Sequence, residues 1–167
     1  DFKRILMTKS TGTNNITFSK GMKYFMNNYS DNNTPPYITL NRTSDGERIK
    51  ILEDNYKFSK KLKEYNLSQK EFFTIETEPG IELNAWMMKP TNFNPNKEYP
   101  LYMFLYGGPG SQQVKDSWGW FNYFWYQYLN QLGYIVACVD NRGTGGKGAE
   151  FKKMTYKELG KYETIDQ

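Results

Sequence analysis

The 167-residue chain contains no histidine and only one cysteine. Without histidine, a Ser-His-Asp centre cannot be completed within these residues, because the imidazole is its general base. A single cysteine excludes an intrachain disulfide framework and a cysteine metal cluster, and we predict no cofactor and no metal site. Cys138 lies in the apolar run from Ile135 to Val139, where a free thiol usually behaves as a small hydrophobic residue.

The charge pattern gives no sign of a nucleic-acid or membrane protein. There are 22 basic and 18 acidic residues, which leaves a net charge of +4. The lysines are spread through polar stretches, so no nucleic-acid partner is predicted, and the densest run, Lys60 to Lys63, is typical of a solvated helix face. No apolar run approaches the length of a membrane span. The chain starts at Asp1 without a signal-like segment, so the N-terminus does not indicate a compartment.

Aromatic residues are abundant, with fourteen Tyr, eleven Phe and four Trp, so we expect an aromatic core. The first part of the chain favours short strands at Tyr24–Met26, Tyr37–Leu40 and Ile49–Leu52. Ser44-Asp45-Gly46 predicts a tight turn, because Asp-Gly tolerates the positive φ that a two-residue hairpin requires. These signals indicate an antiparallel meander, as in a propeller blade or a small sandwich. Residues 58–67 are expected to form a connecting helix.

The second part of the chain favours longer and more apolar elements. Their predicted order is a hairpin of strands Phe72–Thr77 and Ile81–Met88 around Glu78-Pro79-Gly80, a strand Leu101–Tyr106, a helix Phe121–Leu132 closed by Gly133, a buried strand Tyr134–Val139, and helical turns from Lys147 that are broken near Gly160. The alternation of strand and helix predicts a parallel α/β sheet.

Several short motifs, in their order and spacing, resemble the dipeptidyl peptidase IV branch of the prolyl oligopeptidase family of serine peptidases. The residues that carry the resemblance are Thr17-Phe18-Ser19-Lys20, Lys23-Tyr24-Phe25, Leu52-Glu53-Asp54-Asn55, Lys97-Glu98-Tyr99-Pro100-Leu101, Tyr106-Gly107-Gly108-Pro109-Gly110-Ser111-Gln112, Asp140-Asn141-Arg142-Gly143, Tyr162-Glu163 and Asp166-Gln167. The resemblance covers nearly the whole chain and is weakest in the first fifteen residues.

The resemblance implies an α/β fold with an N-terminal β-meander. Residues 1–57 would be the last β-propeller strands, 58–67 a connecting helix, and 68–167 the N-terminal part of an α/β-hydrolase domain that stops before the nucleophile. Such proteins remove N-terminal X-Pro or X-Ala dipeptides from peptides through an acyl-enzyme. The resemblance also implies a homo-oligomer and a periplasmic or otherwise extracytoplasmic location. The chain alone is expected to be inactive.

One functional residue carries over by resemblance. Tyr106 matches the family tyrosine whose hydroxyl donates to the oxyanion of the tetrahedral intermediate. The chemistry fits, because a side chain at the C-terminal end of a strand points into the crevice where such sheets bind ligands. A fixed donor there can lower the barrier by roughly 3 kcal/mol. The serine, acid and base have no matching positions in this sequence.

Ser111, Arg142 and an aromatic cluster could each have a functional role. Ser111 lacks the flanking glycines of a nucleophile elbow, so we expect a loop or capping hydroxyl. Arg142 is expected to make structural hydrogen bonds at the sheet edge. Five of the aromatic residues between positions 118 and 125 favour core or interdomain packing at helical spacing over a binding surface; they are Trp118, Trp120, Phe121, Phe124 and Trp125.

Two alternative functions stay open. Gly143, Gly145 and Gly148 satisfy the Gly-x-Gly-x-x-Gly pattern after a strand, and Glu163 lies about twenty residues beyond the first glycine, as in a dinucleotide-binding domain. The acidic residue, however, falls in a polar stretch and not at the end of a second strand. The second alternative is a non-catalytic peptidase-like protein that serves as a binding or scaffold protein.

Overall fold

The computed structural model describes residues 5–167, which form two compact units. Unit 1 contains the residues up to Asn66 together with Asp116–Trp120, and unit 2 contains Leu67–Lys115 and Phe121–Gln167. The predicted domain bounds, with a connecting helix at 58–67, stay a prediction. Between residues 5 and 167, no helix combines the length and the apolar character that crossing a bilayer requires.

Unit 1 contains a four-stranded antiparallel sheet in which the strands follow one another in sequence order. The strands are β1 (Thr13–Phe18), β2 (Tyr24–Ser30), β3 (Tyr37–Arg42) and β4 (Arg48–Glu53). The predicted meander is confirmed. Strand β1 was not predicted as a separate strand, because its first half, Thr13-Asn14-Asn15, has none of the apolar alternation that marks a half-buried strand.

The chain turns at Ser44-Asp45-Gly46 as predicted, but the turn is longer than two residues, since residues 43–47 separate β3 from β4. Gly46 does adopt a left-handed backbone, with φ 75°. The Asp45 carboxylate accepts hydrogen bonds from the Glu47 backbone N–H at 2.9 Å and from Arg42 Nε at 3.0 Å. These side-chain bonds stabilise a longer turn than the Asp-Gly pair predicts.

A segment distant in sequence completes unit 1. The Asp116 carboxylate accepts the Asn32 backbone N–H at 2.7 Å, and the Asp116 carbonyl accepts Thr13 Oγ1 at 2.7 Å. The ring of Trp118 packs edge-on against Phe58, at 5.9 Å between centroids. Phe58 belongs to helix α1 (Tyr56–Leu62), which begins two residues before the predicted helix and ends five residues before its predicted end at residue 67.

Unit 2 contains a mixed four-stranded sheet. Its strands are β5 (Lys70–Glu78), β6 (Ile81–Met88), β7 (Leu101–Met103) and β8 (Ile135–Asp140), in the spatial order β5-β6-β8-β7. The predicted hairpin of β5 and β6 is confirmed, and β7 and β8 pair in parallel across the predicted crossover helix. The β6–β8 pair is antiparallel, so the sheet is not uniformly parallel as the strand-helix alternation predicted.

Three helices accompany this sheet: α2 (Trp120–Gln131), α3 (Gly148–Lys153) and α4 (Lys161–Asp166). Helix α2 ends as predicted, because Gly133 adopts φ 91° and its N–H bonds to the Asn130 carbonyl at 3.0 Å. The predicted break near Gly160 is also confirmed, since Gly160 has φ 87° and directly precedes α4.

The core of unit 2 lies on both faces of β6 and β8. One face packs Trp86, Val136 and Cys138 against Tyr126 of α2, with the Trp86 and Tyr126 rings 5.4 Å apart. The opposite face packs Leu83, Ala85 and Val139 against Phe151 of α3. Cys138 is therefore a buried apolar residue, as the sequence predicted.

Candidate functional site

Tyr106 lies in a loop, three residues beyond the end of β7. The predicted strand was too long, because β7 ends at Met103 and only Phe104 adds one further backbone bond, to the Ala137 carbonyl at 2.8 Å. The Tyr106 side chain is 69% exposed. Its ring rests against Gly108, where an added Cβ would lie 2.8 Å from Tyr106 Cε1. An exposed phenol with a defined ring position can reach a bound ligand.

A second loop, which follows β8, holds the chain after Tyr106. Gly110 donates its N–H to the Gly143 carbonyl at 2.9 Å, and Gly145 donates to the Ser111 carbonyl at 2.6 Å. Within the first loop, the Ser111 N–H bonds to the Gly108 carbonyl at 3.0 Å. The loops after the two parallel strands are therefore joined by backbone hydrogen bonds, as the C-terminal edge of such a sheet allows.

Asn141 is the first residue of the loop after β8, contacts the loop that carries Tyr106, and is fully buried. Its Nδ2 donates to the Gly107 carbonyl at 3.2 Å and to the Arg142 carbonyl at 2.7 Å. Its Oδ1 accepts from Gln167 Nε2 at 3.2 Å. In the sequence, Asn141 is one member of a motif, and no role was predicted for it. A polar residue directly after a buried strand was the available signal.

Asp140 orders the next part of the first loop. Its carboxylate accepts the backbone N–H groups of Gln113 and Val114, each at 2.9 Å. Burial raises the pKa of the Asp140 carboxyl, while these two donors and the positive charge of Lys115 act in the opposite direction. Asp140 is 4% exposed, so its role here is to anchor backbone and not to meet a ligand.

Arg142 makes the structural contacts that the sequence predicted. Its Nη2 lies 2.7 Å from Asp166 Oδ1, and its Nη1 donates to Glu78 Oε2 at 2.6 Å. The guanidinium carbon lies 4.5 Å from the centre of the Tyr162 ring. The hydrogen bonds to Asp166, opposed by desolvation and helped by Glu78, raise the pKa of Arg142. The side chain is buried and its charge is already paired.

Ser111 is a loop residue, as predicted. Its Oγ is buried and makes no hydrogen bond within the part of the chain that the structure describes. A serine nucleophile needs an adjacent base to remove its proton. Since the sequence holds no histidine, Ser111 lacks the usual one. For residues 5–167, no group of three His, Cys, Asp or Glu side chains is placed to hold a metal ion.

The glycine-rich loop from Gly143 does not offer its first N–H groups to a ligand. Gly143 donates to the Phe151 carbonyl at 3.1 Å, Thr144 donates to the Asn141 carbonyl at 3.2 Å, and Gly145 donates to Ser111. A dinucleotide site needs such N–H groups, together with a helix N-terminus, to face the pyrophosphate. This geometry disfavours the dinucleotide alternative.

The aromatic cluster from Trp118 to Trp125 divides between core and surface. Trp118 is buried, which agrees with the packing interpretation. The other four, Trp120, Phe121, Phe124 and Trp125, are exposed in this chain, so core packing was wrong for them, and interdomain packing stays a prediction. The helical register explains the difference, because the buried residues of α2 are Tyr123, Tyr126, Gln127, Leu129 and Asn130.

A cavity of about 470 Å³ opens beside the loop that follows Tyr106. It is lined mainly by apolar atoms of Pro109, Ala149, Thr155, Tyr156 and Leu159, together with the stems of three lysines. Lys152 is one of the three, and its Nζ lies 3.0 Å from the position that a Cβ on Gly110 would occupy. The cavity thus adjoins the same loop as the exposed phenol.

Comparison with known proteins identifies the family. The chain is 39% identical over 153 residues to dipeptidyl peptidase 4 of Trichophyton rubrum, which is 90% of this chain and 20% of that protein. It is 37% identical over 168 residues to the Botryotinia fuckeliana protein named "Probable dipeptidyl-aminopeptidase B". That alignment covers 100% of this chain and 18% of that protein. The crystal structure of Porphyromonas gingivalis dipeptidyl peptidase 4 superposes with a TM-score of 0.90 at 42% identity, covering 96% of this chain and 22% of that one. The chain belongs to the prolyl oligopeptidase family of serine peptidases.

The prolyl oligopeptidase family model itself matches residues 120–167, the part that holds α2, β8 and the glycine-rich loop. Within this family the chain is dipeptidyl peptidase IV-like, and it comprises a partial propeller blade followed by the start of an α/β-hydrolase sheet. The resemblance drawn from the motifs is confirmed. The chain spans about a fifth of the length of the curated relatives it matches.

Proposed function

We propose that this chain is part of a serine-type dipeptidyl aminopeptidase that removes N-terminal X-Pro or X-Ala dipeptides from peptides, and that Tyr106 donates to the oxyanion. The observation that carries the proposal is the exposed Tyr106 phenol, held on an anchored loop beyond the parallel pair β7 and β8. Relatives named as dipeptidyl peptidases support the reaction class. The apolar cavity next to Pro109 supports a peptide-sized substrate.

The proposed chemistry is acyl transfer. A serine Oγ attacks the peptide carbonyl carbon while its proton passes to the base, the carbonyl oxygen becomes an oxyanion, and the Tyr106 O–H donates to that oxygen. When the C–N bond breaks, the protonated base gives this proton to the nitrogen, and the rest of the peptide leaves as an amine. Water then hydrolyses the dipeptidyl ester and regenerates the serine. The serine, the acid and the base have no matching positions among these 167 residues.

The first test separates the chain from the longer protein. We expect no turnover of Gly-Pro or Ala-Pro anilides by the 167-residue chain, because an oxyanion donor alone has no nucleophile to assist. Turnover by this chain that Tyr106→Phe abolishes would contradict the proposal.

The second test uses the longer protein, with Ser, Asp and His supplied by residues outside this chain. Tyr106→Phe removes one donor that acts in the transition state, so kcat should fall by roughly a hundredfold while KM changes little. The control is Tyr128→Phe, another exposed phenol, which lies on α2 and should leave kcat unchanged. Unchanged kcat in the Tyr106 variant would reject its role, and an inactive parent would favour the scaffold alternative.

We further propose that the 167-residue chain self-associates through its strand edges, and that the protein is extracytoplasmic, as the resemblance implies. Strand β7 is at one edge of the unit 2 sheet, and an edge strand presents unpaired backbone groups that can pair with another chain. Sedimentation velocity over a range of concentrations tests self-association, and a clean monomer at high concentration would contradict it. Fractionation of the source cells tests the extracytoplasmic location.

A further inference from the structure

We propose that Asn141 is a positioning residue for Tyr106: it fixes the backbone directly after Tyr106 and thereby the direction of the phenol. This inference rests on the proposed oxyanion role of Tyr106. Asn141 does not face the ligand side, because it is fully buried. It would act only through the loop that carries the donor.

The hydrogen bonds of Asn141 connect three separate parts of unit 2. The Nδ2 group donates to the carbonyl of Gly107, directly after Tyr106, and to the carbonyl of Arg142 in the loop after β8. The Oδ1 atom accepts from Gln167, whose Nε2 also donates to the Val139 carbonyl at 3.1 Å. The Tyr106 loop is therefore attached through one side chain to β8 and to the residue that follows α4. A satisfied buried amide of this kind specifies a single local arrangement.

The space around Gly107 shows that the attachment is close. Gly107 adopts φ 69°, and a Cβ at this position would lie 2.9 Å from Asn141 Oδ1. On the next residue, the Tyr106 ring occupies the place that a Gly108 Cβ would take. The Asn141 amide thus lies against Gly107, and the phenol ring lies against Gly108. A shift of the Gly107 peptide would move the ring with it.

The chemistry at position 141 requires a donor and an acceptor together. An aspartate has the same shape, but it would place carboxylate oxygens against the carbonyls of Gly107 and Arg142, where Nδ2 now donates. A leucine of similar size would remove both donors and leave these carbonyls without this partner. Both variants preserve the volume of the side chain while releasing the loop.

The test is a double-mutant cycle in the longer protein, assayed with a dipeptidyl anilide. Asn141→Leu should lower kcat by between about tenfold and a hundredfold with little change in KM, because a small misplacement of a catalytic group is enough for such a loss. In the Tyr106→Phe background the same substitution should change kcat by less than about twofold, since the donor it would misplace is already absent. An equal loss in both backgrounds would overturn the inference.

A milder variant covers the case in which Asn141→Leu does not fold. Gln167→Leu removes one donor to Asn141 Oδ1 and leaves both Nδ2 bonds in place. It should lower kcat less than Asn141→Leu does, and again only when Tyr106 is present. If Tyr106→Phe alone leaves kcat unchanged, the proposed function fails, whereas additive losses reject the role of Asn141 alone.

A spectroscopic measurement gives a second readout that a general loss of stability would not move. With 3-fluorotyrosine in place of tyrosine, Asn141→Asp should shift and broaden the ¹⁹F resonance assigned to Tyr106, because the ring is released from its single position. The Tyr128 resonance on α2 should not change. An unaltered Tyr106 resonance in the folded variant would contradict the proposal.

Discussion

Arg142 and Asp166 form a buried ion pair that joins the loop after β8 to the last residue of α4. Besides the Nη2 contact at 2.7 Å, Arg142 Nε donates to both carboxylate oxygens, at 3.0 and 3.1 Å. The backbone N–H of Arg142 donates to Asp166 Oδ2 at 2.7 Å. The Asp166 side chain is fully buried, so the pair depends on this geometry to offset the desolvation of both charges.

We predict that breaking this pair destabilises unit 2 strongly. Within the described part of the chain, Asp166→Ala leaves the buried guanidinium with Glu78 as its remaining charged partner, and removing one member of a buried pair typically costs about 3–5 kcal/mol. Arg142→Lys should also destabilise, because a lysine cannot reproduce the planar set of donors. The measurement is urea unfolding followed by circular dichroism. Glu64→Gln is the control, since its pair with Lys61 is exposed and should contribute nothing measurable. Parent-like stability of Asp166→Ala would refute this prediction.

Gly133 and Gly143 have nearly the same φ, so alanine variants at these two positions distinguish backbone strain from steric clash. Gly143 has φ 92° and Gly133 has φ 91°. Among residues 5–167, and apart from its chain neighbours, a Cβ on Gly133 would meet no atom within 4 Å, whereas one on Gly143 would lie 2.6 Å from Thr155 Cγ2. Gly133→Ala should therefore cost about 1–2 kcal/mol from left-handed strain, and Gly143→Ala should cost about 1–3 kcal/mol more from overpacking. Equal losses in guanidinium unfolding would show that Thr155 moves aside freely.

Local sequence signals predicted the elements whose bounds depend on local chemistry. Gly133 and Gly160 mark helix boundaries because their left-handed backbone favours glycine, and Pro79-Gly80 marks a hairpin turn. The end of β7 was not predictable in this way. The run from Leu101 to Tyr106 is uniformly apolar, but the backbone leaves the strand at Met103 to join the loop after β8. The parallel pairing of β7 with β8 depends on residues more than thirty positions away in the sequence.

The site was predictable only in part for the same reason. Tyr106 was identified through resemblance, and its catalytic role stays a prediction. Asn141, Asp140 and Asp166 carry the anchoring contacts, but each is a polar residue that resembles a surface residue in sequence. Asp166 lies 24 residues beyond Arg142, so the two residues are not neighbours within one helix or strand. Only tertiary packing brings the pair together. Buried hydrogen-bonded groups of this kind therefore escape pattern-based prediction.

The buried thiol gives a pH-dependent prediction. Burial raises the pKa of Cys138 to about 12 from an ordinary value of 9.0, because the thiolate would be desolvated inside the core. The pKa is higher in the folded state, so this contribution to stability is fully present below about pH 9 and is lost as the pH rises toward 12. Cys138→Ala should remove this dependence, and the free energy of unfolding of the parent should fall faster with pH above about pH 9.

Thiol labelling checks the same burial independently. At about pH 8, a disulfide reagent should label Cys138 at least about a hundredfold more slowly in the native chain than in concentrated guanidinium, because labelling requires local opening. The denatured chain is the control for intrinsic reactivity. Comparable rates in the two states would mean that the core around β8 opens readily.

Gly108 offers a way to displace the Tyr106 ring without straining the backbone. Its φ lies outside the left-handed region, and the three atoms nearest to an added Cβ all belong to the Tyr106 ring, with Cε1 the closest at 2.8 Å. The exposed ring can rotate away, so Gly108→Ala should leave the free energy of unfolding nearly unchanged. If Tyr106 donates to the oxyanion, the displaced phenol should lower kcat of the longer protein by about tenfold or more, with KM preserved. Gly108→Ala in the Tyr106→Phe background is the matched control and should have little effect. Full activity of the single variant would mean that the ring direction set by Gly108 does not matter for catalysis.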